Sequence, residues 1–145
     1  MIIDVILSSK GREVSIVAPG TPVAEVVQRM RNERIGALVV STDGRTIKGI
    51  ISDRGVMHAI ADHGVGVMQQ PIEAIMAQQV VTCRPTDPVG AIMGLMTERR
   101  IRHIPVVDSD GQMCGIISIG DVVKNRLDAV QREAEAMREY ISGVI

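Results

Sequence analysis

The sequence predicts an α+β fold: two copies of a β-α-β-β-α unit packed together, followed by a C-terminal helix. Two observations predict it. A shift of 66 residues realigns the chain without a gap from Val14 to Val56. Each copy also shows the same order of short apolar runs and amphipathic stretches. At this offset Val14 meets Val80, Pro19 meets Pro85, and Pro22 and Val23 meet Pro88 and Val89. Met30 meets Met96, Arg34 and Ile35 meet Arg100 and Ile101, and Val40 meets Val106. The string GIIS recurs as residues 49–52 and 115–118. One such string on the same offset as many scattered matches is hard to obtain by chance.

Each copy begins with a β-like run, Val14 to Val17 or Val80 to Cys83, closed by a proline. An amphipathic helix follows, with Val23, Val26, Val27 and Met30 at helical spacing in copy one and Val89, Ile92, Met93 and Met96 in copy two. Thr21 and Asp87 read as N-caps, with Pro22 and Pro88 at the first helical position. A second strand follows (Ala37 to Val40; Ile104 to Val107), then a polar turn (Ser41 to Gly44; Asp108 to Gly111), a third strand ending in GIIS, and a second helix. A unit of about 60 residues is marginal alone, so the copies are expected to pack together. Repeat 1 is assigned to residues 1–66, repeat 2 to 67–128, and a helical extension to 129–145. Around that extension Leu127, Val130, Ala134, Met137 and Ile141 form an apolar stripe, expected to dock on the body or on a partner chain.

The chain is 46% hydrophobic and 23% charged, with a net charge of −1, so no general electrostatic pull toward nucleic acid or an anionic membrane is expected. It has no Trp and no Phe, and Tyr140 is its one aromatic residue. The core must be aliphatic, with methionines as filler. A flat ligand base would lie between aliphatic walls, and a stacking platform for single-stranded nucleic acid is excluded. Cys83 and Cys114 read as buried free thiols without zinc or redox spacing. The N-terminal apolar run is too short for a signal peptide, and no run reaches the ~18 apolar residues of a membrane span, so a cytoplasmic protein is expected. The usual hydrolase, metalloprotease, P-loop and dinucleotide motifs do not occur, and no enzyme is expected. His58 and His63, five apart, share no helix face well, so no metal is expected either.

Residues 102–108, RHIPVVD, followed by residues 115–122, GIISIGDV, resemble the cystathionine-β-synthase (CBS) domain in a tandem pair, over about residues 3–127. The stretch from Ile6 to Arg12 and the C-terminal helix are similar to small stand-alone bacterial CBS-pair proteins. The resemblance implies that the two β-α-β-β-α repeats pack about a pseudo-two-fold axis with clefts between them, a homodimer that is often disc-shaped, and a regulatory role in energy or redox sensing. It also implies an adenosine ligand: AMP, ADP, ATP, S-adenosylmethionine or NAD(H).

The residues suggest how such a ligand would be held. Asp121 opens a helix after Gly120; its carboxylate suits both hydroxyls of a ribose, or a helix cap, and the two roles are compatible. Ser118 offers a hydroxyl, and the helix start offers N–H groups to a phosphate. Arg102 and His103 are charge-assisted donors to phosphate oxygens. Thr82 suits the purine edge, and Val81 and Pro105 supply apolar walls. The resemblance implies ribose and phosphate contacts for Asp121 and Ser118. Copy one has Gly55, Gly36, Ala37 and Ile16 where copy two has Asp121, Arg102, His103 and Thr82. Ser52 remains, with Asp53 and Arg54 beside it. The expectation is AMP at the site of repeat 2, with Arg54, Lys10, Arg12 and Lys124 as further phosphate candidates. NAD(H) or S-adenosylmethionine is the alternative ligand, and a ligand-free protein-interaction module the alternative class. A target protein would be regulated in trans.

Overall fold

The computed structural model describes residues 1–143, so Val144 and Ile145 of the expected extension lie outside the described residues. The elements are α1 (Ile3–Lys10), β1 (Ile16–Val17), α2 (Val23–Glu33), β2 (Ala37–Val40), β3 (Gly49–Ser52), α3 (Asp53–His63), two 3₁₀ turns (Val65–Gln69 and Ile72–Ala74), α4 (Val89–Arg99), β4 (His103–Val107), β5 (Met113–Ser118) and α5 (Ile119–Gly143).

Copy one follows the expected order. β1 runs parallel to β2, and β2 antiparallel to β3, with Leu38 opposite Ile51 and Val39 opposite Ile50. In copy two, β4 and β5 pair antiparallel, with Ile104 opposite Ile117. The strand expected over Val80 to Cys83 is reduced to one parallel bridge, Cys83 to Val106. Pro105 is the reason. In copy one the Val39 amide donates to the Ser15 carbonyl at 3.2 Å. The equivalent donor in copy two is residue 105, a proline without an N–H. The bonds that survive run from Cys83 N to Pro105 O (3.0 Å) and from Val107 N to Cys83 O (2.8 Å). Thr21 and Asp87 differ from expectation too. Pro22 and Pro88 occupy the N-cap positions. Thr21 Oγ1 donates to Ala18 O, and Asp87 Oδ2 accepts from Arg84 N, so both side chains close the preceding turn.

Two apolar clusters form the core. One contains Val17, Val23, Val26, Met30, Leu38, Val40, Ile51, Val56 and Ile72. The other contains Cys83, Val89, Ile92, Met96, Ile104, Val106, Ile117 and Val122, together with Ile3, Ile6 and Leu7 of α1. The N-terminal segment, numbered with repeat 1, thus packs into the core of copy two. The linker after α3 does the equivalent for copy one, where Ile72 is fully buried and Met68, Ile75 and Met76 pack against the cluster. The two docking segments obey the same symmetry. Ile3 N donates to Asp87 O and Val89 N to Met1 O; likewise Ile72 N donates to Thr21 O and Val23 N to Gln70 O. Each copy is therefore closed by the segment that precedes the other.

The close approach explains the glycine of GIIS. A Cβ on Gly115 would stand 2.7 Å from Leu7 Cδ2, and one on Gly49 would stand 2.5 Å from Met76 Sδ and 2.9 Å from the Ala77 carbonyl. The tip of Leu7 can turn aside, whereas a backbone carbonyl cannot. Gly49→Ala should therefore lower the denaturation midpoint more than Gly115→Ala; equal losses would contradict the packing. Leu7→Ala should cost about 2–5 kcal/mol, the range for emptying a buried leucine site. Deuterium exchange should then rise across residues 80–122 rather than 16–62, since Leu7 belongs to the second cluster.

Candidate functional site

The C-terminal ends of β3 and β5 run straight into α3 and α5, and a serine caps each helix. Ser52 Oγ accepts from Gly55 N at 3.0 Å, and Ser118 Oγ accepts from Asp121 N at 3.2 Å. In copy two the box is complete, because Asp121 Oδ2 accepts in return from Ser118 N at 2.9 Å. Asp121 is thus the reciprocal member of a capping box, and Ser118 is the cap. Gly55 leaves copy one with half a box. Further equivalent bonds, Asp53 N to Gly36 O and Ile119 N to Arg102 O, tie each helix start to the entry of a neighbouring strand.

Lys10, at the end of α1, reaches across to this corner. Its Nζ donates to Asp121 Oδ2 at 2.7 Å and to Ile116 O at 2.8 Å. Burial pulls the Asp121 carboxyl up, but the Lys10 ammonium and the Ser118 amide more than offset it and hold the group below the usual aspartate value. Asp121 therefore stays ionised with one oxygen engaged, and Oδ1 accepts no hydrogen bond among the described residues.

Two clefts flank this seam. The first, about 280 Å³, has Lys10, Ser118 and Ile116 on one side and Val14, Ser15 and Arg34 to Ala37 on the other. The second, about 490 Å³, sets Ile50, Ser52, Arg54 and His58 against Arg100 to His103. Each combines the GIIS end of one copy with the strand entry of the other, as the 66-residue repeat dictates. A larger open groove of about 640 Å³ runs between α1 and α5, past Lys10, Asp121 and Lys124. It lies along two helices rather than between the repeats.

The residues expected around one ligand therefore divide. Ser118 and Lys10 line the first cleft; Asp121, bonded to both, lines the groove between α1 and α5 and neither cleft. Arg102, Ser52 and Arg54 line the second, where Arg102 Nη2 meets Asp53 Oδ1 at 2.6 Å. His103 faces both clefts. Val81 packs on the second core cluster, Thr82 is exposed, Pro105 is buried within β4, and none of the three lines either cleft. The two-fold relation crosses the partners, so that Val14 and Ser15 face Ser118. Arg12 pairs with Asp4 at 2.8 Å on the exposed side of α1, and Lys124 lines only the groove. Cys83 is a buried free thiol pushed up to about 12, mainly by burial and then by Asp87; Cys114 is half-buried and also raised by burial.

The sequence reading missed Arg34 and Arg100. Both end a helix in the left-handed region, at φ 55° and 54°, and each borders one cleft. Their signal was present, since this arginine recurs at the repeat offset within a framework otherwise mostly apolar.

The sequence profile of the CBS domain matches residues 7–62 and 72–128, which is most of the chain. The chain belongs to the CBS domain family. As a CBS pair it is 36% identical to a CBS-domain-containing protein of Agrobacterium tumefaciens, whose crystal structure superposes with a TM-score of 0.83 over 87% of this chain and 99% of that one. It is 35% identical over 125 residues to the mitochondrial CBS domain-containing protein CBSX3 of Arabidopsis thaliana. That match takes in 83% of this chain but 60% of the Arabidopsis protein. A CBS domain protein of Pyrobaculum aerophilum, solved in complex with AMP, shares the fold at 24% identity and a TM-score of 0.72, over 83% of this chain and 89% of that one. Among the described residues no helix is long and apolar enough to cross a membrane.

His103 gives the CBS pair a pH signature. Burial lowers its pKa below the ordinary 6.5, and the neighbouring Arg102 lowers it further, against Asp53 and Asp121. The unfolded chain then binds a proton that the folded chain resists. This contribution to stability is fully present above pH 6.5 and is lost as the pH falls below it toward the folded value. The thermal midpoint should drop between about pH 7 and about pH 5.5, and His103→Asn should flatten that drop. An unchanged pH profile in the variant would rule out His103 as its source.

Proposed function

We propose that this CBS pair is a regulatory module, cytoplasmic and acting in trans on a target protein, that binds AMP at the corner formed by Ser118 and Asp121 of the second repeat. The observation that carries the proposal is the Asp121 carboxylate: ionised, anchored through Oδ2 by the Ser118 amide, and with Oδ1 open to ribose hydroxyls. Valine and isoleucine side chains flank the first cleft, which suits a purine held without aromatic stacking. Lys10 and Arg34 stand beside it as phosphate donors. In this scheme the ribose takes the place of the ammonium on Asp121, and Lys10 exchanges a carboxylate for a phosphate. The charge on Asp121 stays compensated by hydrogen bonds, and the charge on Lys10 by the ligand. The AMP complex of the Pyrobaculum protein supports the scheme at the level of the fold, which accommodates this class of ligand there.

The cationic second cleft favours a longer variant of the same reading. Arg54, Arg100 and Arg102 lie across His103 from the first cleft, and would suit the additional phosphates of ATP or the second half of NAD(H).

Titration calorimetry tests the assignment. AMP should bind near one per chain, and more tightly than 2′-deoxy-AMP or adenine, because an ionised acceptor left unpaired costs about 1.5–3 kcal/mol. Asp121→Ala should weaken AMP binding by about 10- to 150-fold, whereas Glu139→Ala, on the exposed far part of α5, should leave it unchanged. Parent-like AMP binding in Asp121→Ala, or two equivalent AMP molecules per chain, would overturn it. A flat thermal response to AMP, ATP, NAD(H) and S-adenosylmethionine alike would favour a ligand-free interaction module instead.

A further inference from the structure

Lys10 lines both the first cleft and the groove between α1 and α5, and Asp121 lines the groove. Their side chains are 31% and 22% exposed. Asp121 Oδ2 accepts from Ser118 N at 2.9 Å and from Lys10 Nζ at 2.7 Å, so both of its lone-pair directions are taken. A ribose diol that grips the carboxylate needs a place on each oxygen. Oδ1 is open, but the second hydroxyl finds Oδ2 filled. The Ser118 amide is fixed in the backbone, so the Lys10 ammonium is the donor that yields. The pair also belongs to copy two alone. The matching bonds that seat the docking segments, Ile3 N to Asp87 O and Ile72 N to Thr21 O, set Ile3 against Ile72 and therefore Lys10 against Gln79. Copy one has Gln79 and Gly55 where copy two has Lys10 and Asp121, so both charges are replaced together.

On the reading that ribose hydroxyls seat on Asp121, we infer that Lys10 is a specificity-determining residue: it closes the Asp121 acceptor to adenosine ligands without an anion at the 5′ position and yields it to those that carry one. An ammonium displaced from Asp121 needs another anion nearby. The acidic residue bordering the first cleft is Glu13, which is exposed, and an exposed pair contributes little. Arg34 borders the same cleft and adds a second cation. A 5′-phosphate satisfies Lys10 and Arg34 together through charge-assisted bonds. A neutral 5′ group satisfies neither, so its ribose must break the 2.7 Å pair without compensation. Removing the ammonium therefore acts in opposite directions on two ligands. The phosphate loses a partner, and the neutral nucleoside gains an unobstructed carboxylate.

Titration calorimetry of the full chain with AMP, adenosine and 5′-methylthioadenosine reads both effects. The parent should bind AMP at least about tenfold more tightly than either neutral ligand. Lys10→Met should weaken AMP about tenfold and tighten both neutral ligands about threefold, so that the preference collapses. Lys10→Arg keeps the cation and should keep the parent's order of affinities. Arg31→Met removes an exposed charge from α2 and should change none of the three. If Lys10→Met weakens AMP but leaves adenosine unchanged or weaker, Lys10 is a plain phosphate contact; the seating of AMP then stands and the inference is overturned. Equal affinity of the parent for AMP and adenosine overturns it as well. A parent that binds none of the three overturns the seating on Asp121 and the inference together.

Discussion

Each half of this molecule is too small to close its own core, and the fold answers that constraint by exchange. Ile3, Ile6 and Leu7 lie in sequence before copy one and pack in space within copy two. Ile72, Ile75 and Met76 precede copy two and pack on copy one. The arrangement makes the halves interdependent, because removing α1 opens the core of copy two and removing the linker opens that of copy one. It also dictates the glycine in each GIIS string, where the incoming Leu7 or Met76 takes the space of a side chain. Lys10 follows from the same constraint. It stands at the end of α1 only because Ile3 and Leu7 are anchored in copy two, and that anchoring delivers its ammonium to Asp121. The electrostatics of the candidate site thus rest on apolar packing one to two turns away.

The two-fold axis has a second consequence. The strand entries of the two copies meet near the axis, and two bulky side chains do not fit where space allows one. A Cβ on Gly36 would stand 3.0 Å from His103 Cε1 and 3.3 Å from Nε2. The His103 ring therefore fills the space that a side chain at position 36 would need. Arg102, the counterpart of Gly36, reaches back across the seam to Asp53 of copy one. Of the polar residues that copy one lacks, His103 of copy two faces both clefts and Arg102 faces the second. Loss of polar groups from one repeat is here a packing solution at a shared seam.

That crossing marks the limit of what the sequence made legible. The repeat, both amphipathic helices, the paired strands and the aliphatic core were all readable, because each is set by periodicity within some 20 residues of chain. The closeness of Asp121 and Ser118 was readable for the same reason, since they are three residues apart at a strand-to-helix junction. The grouping of Val81, Thr82 and Pro105 with them was not readable correctly. A single copy places its first strand beside its own GIIS strand, while the cleft is completed by the other copy's Val14 and Ser15. Neighbours within a repeat are read from local pattern; neighbours across an axis need the axis. Pro105 looked like a wall and is instead an interruption, since its missing N–H shortens the first strand of copy two to a single bridge. Helix α1 was equally hidden: eight residues with buried Ile3, Ile6 and Leu7 hold a helical face too short to stand out by periodicity.

One covalent connection joins the candidate site to the far surface. Ser118 and Asp121 form the capping box of α5, and the exposed apolar stripe follows on the same helix from Leu127. A helix terminus is sensitive to the charge placed on it, because its first N–H groups are unpaired and its dipole favours an anion there. In the present state the Asp121 charge is shared between the helix start and Lys10. Whatever removes the ammonium returns that carboxylate to the N–H groups of α5, and whatever draws Oδ2 away from Ser118 N loosens the first turn. The body holds α5 through little more than Val122 and the neighbouring residues of its first two turns. The exposed part of α5 continues the same helix with few side contacts to hold it. A rod of some 25 residues spans about 37 Å at 1.5 Å per residue, so a tilt of a few degrees at Ser118 displaces Ile141 by an ångström or more. The corner around Asp121 and the exposed far end of α5 are thus joined by one continuous helix, so the geometry of the first turn sets where that end stands.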